Sequence, residues 1–266
     1  MRSVGIFAPS GGSLYAALSD GLLRRRLSAA EQNPSCFGTN QADRRLAAVF
    51  LAGRSAASDH IAREYAAKGV PAILAGSPVF HSDQVRIAPY STRGWVPDTG
   101  DESRLEHLGV SPARIAKDDS RSGVVMIGQA NDTGLSDAAL RAWYQSSADT
   151  IAAMVTGSLL WCANGAPWAP EGAEEATLTE ALGQCRRAVT YSAHAATLAL
   201  ASGLIVVTGG PSVIGDLAGK MDNWARLRAA TLLKVAEQCA RIASSQWSLD
   251  EISTGEAFAS LPKGLI

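Results

Sequence analysis

The sequence predicts an α/β protein made of two alternating units, and three observations lead there. Strand-length apolar runs are each followed by a stretch of helical periodicity, first over residues 3–76 and again over residues 123–207. Between the two series lies a stretch rich in proline and turn formers, closed by the polar segment KDDSRSG. Only 18% of the residues are charged and 47% are hydrophobic, enough apolar material for one or two packed cores. Each unit then reads as a Rossmann-like lobe, a parallel sheet covered by helices. Two such lobes facing each other leave a cleft at the carboxyl ends of their strands, where ligands bind in open α/β sheets.

The first unit opens with SVGIFA (3–8) as a strand and PSGGS (9–13) as a tight loop. Leu14 to Leu27 has helical spacing, with Leu14, Leu18, Leu22 and Leu23 placed on one face. LAAVFLA (46–52) is the second strand. Ala57 to Lys68 is a helix with Ser58 or Asp59 near its start, ended by Gly69, and VPAILAG (70–76) is the third strand. Residues 77–122 are less regular, with a short strand at Val85–Pro89 and a helix near 101–108 ended by Gly109.

The second unit begins with GVVMIGQ (123–129) as a strand and ANDTG as its loop. Ser136 caps a helix that runs to Val155, SLLWCA (158–163) is a strand, and Thr177–Gln184 is a short helix. AVTY (188–191) is a strand that hands the chain to Ser192 and His194, an Ala/Leu-rich helix and the strand LIVV (204–207). A Gly-rich loop follows, then a long helix from Asn223 to Ser244, and QWSLDEISTGEAF closes the fold.

Composition narrows the function. No run approaches the roughly 20 apolar residues of a membrane span, no signal-peptide pattern opens the chain, and no membrane partner is expected. Cys36, Cys162, Cys185 and Cys239 form no CxxC pair, so reduced, buried thiols in a cytoplasmic protein are expected. No HExxH pattern or other metal-ligand spacing is present. Net charge is −1, but residues 1–96 carry 11 Lys/Arg against 6 Asp/Glu while the remaining residues carry 13 against 19. That basic front half is either a solvated face or a surface for an anionic acceptor.

Four constellations could carry chemistry. Ser192 and His194 sit at a strand-to-helix switch; at two residues apart they cannot be the nucleophile and base of one triad. They are either a helix cap or half of an anion site at a helix N-terminus. Gln129, Asn131 and Asp132 follow a strand directly and suit sugar hydroxyls, or they form an Asx turn. Ser10, Gly11 and Gly12 follow the first strand, where glycines admit a ligand close to the backbone or make a plain turn. The segment from His81 to Trp95 offers His81 and Asp83, with Asp59 from the preceding helix, as candidate general bases for a hydroxyl acceptor. A nucleophile elbow, GxSxG, is absent, which disfavours an α/β hydrolase.

As an ordered set these pieces resemble the two-lobed GT-B glycosyltransferases. AVTYSAHAATLALASGLIVV (188–207) is similar to the strand–Ser–helix–Gly–strand element that holds the nucleotide diphosphate in those enzymes, and VVMIGQANDTG to the strand and loop that open the donor lobe. RGWVPDTGDESRLEHLGV, the GQxND loop and QWSLDEISTGEAF further resemble small glycosyltransferase-like proteins of phages, some relatives of which modify hydroxymethylated pyrimidines in DNA. One loop departs from the pattern. Where many such relatives carry an Arg/His/Pro-type motif, this chain has NGAPWAP.

The resemblance implies an acceptor-side lobe at 1–115, a nucleotide-sugar lobe at 122–245 and a segment at 246–266 packing back on them. It implies a nucleotide-sugar donor, a UDP-sugar in the first instance, with no metal or other cofactor required. Thr190, Ser192, His194 and the N–H groups after Tyr191 would hold the diphosphate and stabilise charge on the leaving group. Gln129, Asn131 and Asp132 would face the sugar or the cleft between the lobes, and Arg93 and Trp95 would contact DNA by charge and stacking. Trp95 or Phe80 would wedge a flipped base out of a duplex. The protein would act in the cytoplasm, the host's if a phage encodes it. Transfer to a polysaccharide or small molecule, and a non-catalytic nucleotide-binding module, remain the alternatives. The oligomeric state stays open.

Overall fold

A computed structural model describes residues 3–9, 11–32, 34, 37, 42–43, 45–53, 55–90, 96–113, 121–129, 135–191 and 194–266. The chain divides into two compact units, one made of residues 1–104 and 241–266 and the other of residues 105–240. The crossing back to the first unit falls inside a single helix.

In the first unit the strands are β1 (Ser3–Phe7), β2 (Ser28–Glu31), β3 (Leu46–Ala52), β4 (Ala72–Gly76) and β5 (Val85–Pro89), interleaved with α1 (Ser13–Arg24) and α2 (Ala56–Ala66). The sheet order is β11-β5-β4-β3-β1-β2, where β11 is Gln246–Trp247. β1 to β4 pair in parallel, with Val4 opposite Ala48 and Val49 opposite Ala72. β5 alone runs against the others, antiparallel to both its neighbours β4 and β11, so the sheet is mixed rather than wholly parallel. Hydrophobic pattern alone carries no strand direction, and this was outside its reach.

Alternation along β3 builds both faces. Ala48 and Phe50 pack with Leu18 and Leu22 of α1 and with Ile252 and Phe258 near the chain end. Val49 and Leu51 turn to the other face, against Ile61 and Tyr65 of α2. Leu18 and Leu22 are buried as the spacing predicts, but Leu23 is 64% exposed. The cap of α2 is Ser55, whose Oγ accepts from the Ser58 N–H at 3.1 Å, and Ser58 and Asp59 lie near the helix start as expected. Strand β2 escaped prediction because SAAE has no run of β-branched residues and lies at the sheet edge.

The C-terminal segment is anchored by Arg104. α8 (Leu249–Thr254) starts in a capping box between Ser248 and Glu251. The Arg104 guanidinium meets both Glu251 carboxylate oxygens at 2.7 and 3.0 Å, donates to the Ala243 and Gln246 carbonyls, and lies 3.8 Å above the Trp247 ring. One side chain thus fixes the end of α7 (Leu232–Ala243), β11 and the start of α8.

In the second unit the strands are β6 (Gly123–Ile127), β7 (Leu159–Cys162), β8 (Glu174–Glu175), β9 (Cys185–Thr190) and β10 (Ile205–Thr208), in the order β10-β9-β6-β7-β8 and all parallel. α4 (Asp137–Met154) starts at Ser136, whose Oγ accepts from the Ala139 N–H at 3.2 Å, and covers one face through Leu140, Tyr144, Ala148 and Ile151. α5 (Leu178–Gln184) opens in a capping box of Thr177 and Glu180. The long helix predicted from Asn223 does not form. Residues Met221–Arg226 are a 3-10 helix that buries Trp224 beside the second sheet's core, and α7 begins only at Leu232. The small helix α3 (Glu102–His107) and α6 (Ala195–Ala201) complete the inventory used below.

Candidate functional site

Strand order places the switch point of the second sheet. The chain lays β6, β7 and β8 outward to one side, then returns to lay β9 and β10 on the other. The connections after β6 and β9 therefore leave in opposite directions, and a crevice opens outside their carboxyl ends. Those ends carry Gly128 and Gln129 after β6, and Tyr191 followed by His194 after β9.

Tyr144 pins this point from inside. It is fully buried on α4, and its hydroxyl donates to the Ile127 carbonyl at 2.6 Å. The same oxygen accepts the Tyr191 N–H at 3.1 Å and lies 3.3 Å from Thr190 Oγ1. Burial pushes the Tyr144 phenol up to about 12, partly offset by the Thr190 and Tyr191 contacts, so it stays a neutral donor. Thr190 is buried and its hydroxyl faces this support rather than solvent. The Tyr191 N–H is likewise spent on Tyr144.

Neighbouring strand ends add to the edge. Asn164, after β7, donates from Nδ2 to the Gly128 carbonyl at 3.0 Å. Gly209 and Gly210, after β10, donate to the Thr190 and Tyr191 carbonyls at 3.2 and 2.8 Å. Aromatic rings back the whole edge: Trp143 meets Tyr191 edge-on at 5.4 Å, and Tyr144 meets Trp161 at 5.3 Å. A side chain at Gly209 would run into the Trp143 indole. Along the same edge a cavity of about 350 Å³ is lined by Trp161, Ala163, Glu175, Ala176, Thr177 and Glu180. The Glu180 carboxyl is held below the usual range by the Thr177 hydroxyl and N–H.

His194 is the N-cap residue of α6, half-buried, and its carbonyl accepts the Thr197 N–H at 2.8 Å. Gln129 is half-buried beside Gly128. Asn131, Asp132 and Ser192 lie outside the described residues. Sequence reading missed Tyr144, Asn164 and the Gly209–Gly210 pair. The glycine pair directly after a buried strand was the one signal available, and Tyr144 read as one more aromatic on a helix.

The first sheet has its own switch point, between β1 and β3. Gly11, in a left-handed conformation, and Gly12, the N-cap of α1, follow β1 there. Ser10 lies outside the described residues. Asp59 sits in the first turn of α2 and accepts the Tyr90 hydroxyl at 2.8 Å. His81 and Asp83 are exposed on the loop after β4. Phe80 is half-buried and its N–H donates to Gln246 Oε1 at 2.9 Å, whereas Arg93 and Trp95 lie outside the described residues.

Cys162, Cys185 and Cys239 are free and buried, and burial raises all three thiols, Cys185 to about 11 and Cys239 to about 12. Among the described residues no group of three His, Cys, Asp or Glu side chains could hold a metal ion. No described helix is long and apolar enough to cross a membrane.

No family model and no curated protein matches this sequence. Solved structures do. The chain is similar to the β-Kdo 2,4-transferase of KpsC from Thermosulfurimonas dismutans, at 11% identity over 90% of each chain with a TM-score of 0.50. It is similar to the β-Kdo 2,7-transferase of KpsC from the same organism, at 9% identity over 97% of this chain and 99% of that one, again with a TM-score of 0.50. At such identities the likeness shows the fold alone: the chain has the glycosyltransferase-like GT-B fold that its two Rossmann-like units and its sequence pattern pointed to.

Proposed function

We propose that this chain is a glycosyltransferase that moves a sugar from a nucleotide-sugar donor, a UDP-sugar in the first instance, to a hydroxyl acceptor. One observation carries the reading: Tyr144 locks the two strand ends together at the switch point of the second sheet, in a GT-B-type fold. Ser192, His194 and the N–H groups after Tyr191 hold the donor diphosphate and stabilise the charge that grows as the glycosidic bond breaks. Gln129, Asn131 and Asp132 meet the sugar. The 350 Å³ cavity beside Trp161 takes the nucleoside end, and its size falls within the roughly 300–1,000 Å³ of small-molecule sites.

The first unit takes the acceptor. His81 and Asp83, on an exposed loop, and Asp59, which receives the Tyr90 hydroxyl, are the candidates to accept the proton. The acceptor we favour is a hydroxymethylated pyrimidine in DNA, on the sequence resemblance and on the basic balance of residues 1–96. A saccharide acceptor is the second reading, favoured by the two similar structures, both of which are sugar transferases by name.

The test is incubation with a panel of nucleotide-sugars and either hydroxymethylated DNA or oligosaccharides, read by mass spectrometry of the digested nucleosides and of the glycans. A mass gain of one sugar on the nucleoside supports the DNA reading, and a gain on the glycan the second. No transfer from any donor, with nucleotides still bound, makes the chain a non-catalytic nucleotide-binding module.

A further inference from the structure

Gly219 pairs in parallel with Val207: its N–H donates to the Val206 carbonyl at 2.8 Å, and its carbonyl accepts the Thr208 N–H at 3.2 Å. The next residue, Lys220, therefore comes level with Thr208, where β10 ends. Beyond it Met221–Arg226 form the 3-10 helix around buried Trp224, so the chain is held on both sides of Lys220. The Lys220 Nζ lies 3.4 Å from the Thr208 carbonyl. The N–H that follows that carbonyl, from Gly209, donates to the Thr190 carbonyl at 3.2 Å. A single peptide unit joins the two contacts, which puts the ammonium within about 9 Å of the carboxyl end of β9. Lys220 is exposed, and among the described residues no carboxylate pairs with it. Other positions along this edge bring no free cation. Arg141 of α4 is engaged with Asp137 at 3.0 Å. The loop NGAPWAP after β7 has no basic residue, and it lies against α4, with Trp168 stacked on Trp161 at 5.4 Å and reaching Asp137 at 3.4 Å.

We propose that Lys220 binds the donor phosphates, as a cation supplied to the site by the chain beyond β10. This rests on the reading of the carboxyl edge of the second sheet as the nucleotide-sugar site. In the transfer, the bond between the sugar carbon and the phosphate oxygen breaks and its electron pair stays on that oxygen. The acceptor oxygen bonds to the carbon and gives its proton to a general base. The departing diphosphate thus gains one negative charge, and a nearby cation attracts it more strongly in the transition state than in the bound donor. An ammonium on a four-carbon stem is a compact charge that can follow a moving phosphate. The Thr208 carbonyl occupies one of its three donors and leaves the others for the ligand.

Calorimetric titration of the full chain with the 5′-diphosphates of uridine, cytidine, guanosine, adenosine and thymidine, each beside its free nucleoside, tests this. For the diphosphate that binds best, Lys220→Ala should weaken affinity on the order of ten- to a hundredfold and leave the nucleoside's affinity unchanged. Lys220→Arg restores the charge and should recover most of the loss. Lys220→Gln keeps a donor for the Thr208 carbonyl without the charge, and should behave as Lys220→Ala. Recovery by glutamine, or an equal loss for nucleoside and diphosphate, would make Lys220 a support for the end of β10 and overturn the proposal. Unchanged diphosphate affinity in Lys220→Ala would overturn it too, with the donor site left standing. A wild-type protein that binds none of the diphosphates would overturn both.

Discussion

The Tyr144 hydroxyl and the Ile127 carbonyl stand 2.6 Å apart, and through this bond one helix residue sets the carboxyl end of the central strand of the second sheet. The same hydroxyl receives the Tyr191 N–H at 3.1 Å. Tyr144→Phe keeps the ring in its aromatic cluster but leaves one buried acceptor and one donor without this partner. Leaving buried groups less well satisfied in this way costs about 1–3 kcal/mol in all, since each keeps access to other partners at the strand ends. Chemical denaturation should show a loss within that range, and nucleotide-sugar affinity should fall beyond what a merely less stable protein shows at low temperature. A stability change under about 0.5 kcal/mol would mean the bond adds little.

Gly128 tests the closeness of the strand ends. A methyl group there would collide with the Ala163 carbonyl and come within 2.7 Å of the Trp161 ring. Neither neighbour is the free end of a flexible chain. Gly128→Ala should destabilise the protein by about 1–3 kcal/mol, the usual cost of overpacking, and lower the thermal midpoint. An unshifted midpoint would show that the edge is looser than described.

Acid stability should report on Glu251. Burial would raise its carboxyl, but the Arg104 guanidinium and the Ser248 N–H outweigh that and hold it at about 2. A carboxyl lowered on folding stabilises the native state above its unfolded value near 4.5, and that contribution disappears as pH falls toward 2. Glu251→Gln keeps a capping acceptor for Ser248 and loses the ion pair. It should cost about 1.5–3 kcal/mol at neutral pH, the range of a hydrogen bond to a charged group. Between about pH 4.5 and 2 the variant should lose stability less steeply than the wild type. Parallel curves across that window would refute the assignment.

His194→Ala bears on the donor site. Its side chain makes no cap hydrogen bond to α6, so the helix should keep its start, and circular dichroism should report an unchanged fold. If the imidazole meets the diphosphate, kcat/KM for the nucleotide-sugar should drop on the order of ten- to a hundredfold. Unchanged kinetics would remove His194 from the site.

Much of the fold was legible because buried parallel strands are continuous apolar runs. GVVMI, LLWC and IVVT announce themselves, and Ser136 and Thr177 mark their helix starts by capping chemistry. What stayed hidden has no local signature. SAAE becomes β2 only because β1 offers it a neighbour. Asn223 to Ser244 scans as one helix, yet Met221–Arg226 form a 3-10 helix around buried Trp224 and α7 starts only at Leu232. At the site, the positions of His194 and Gln129 at strand ends were readable. The Tyr144 lock was not, since its meaning comes from two strands 17 and 46 residues away.

The central claim is that the second unit holds a nucleotide-sugar at the carboxyl ends of β6 and β9. A crystal structure of the protein soaked with a nucleoside diphosphate tests it most directly. The account predicts the two phosphates beside His194 and the N–H groups that follow Tyr191, with the nucleoside toward Trp161 and Thr177. A diphosphate seated instead at Gly11 and Gly12, on the first sheet, would contradict it.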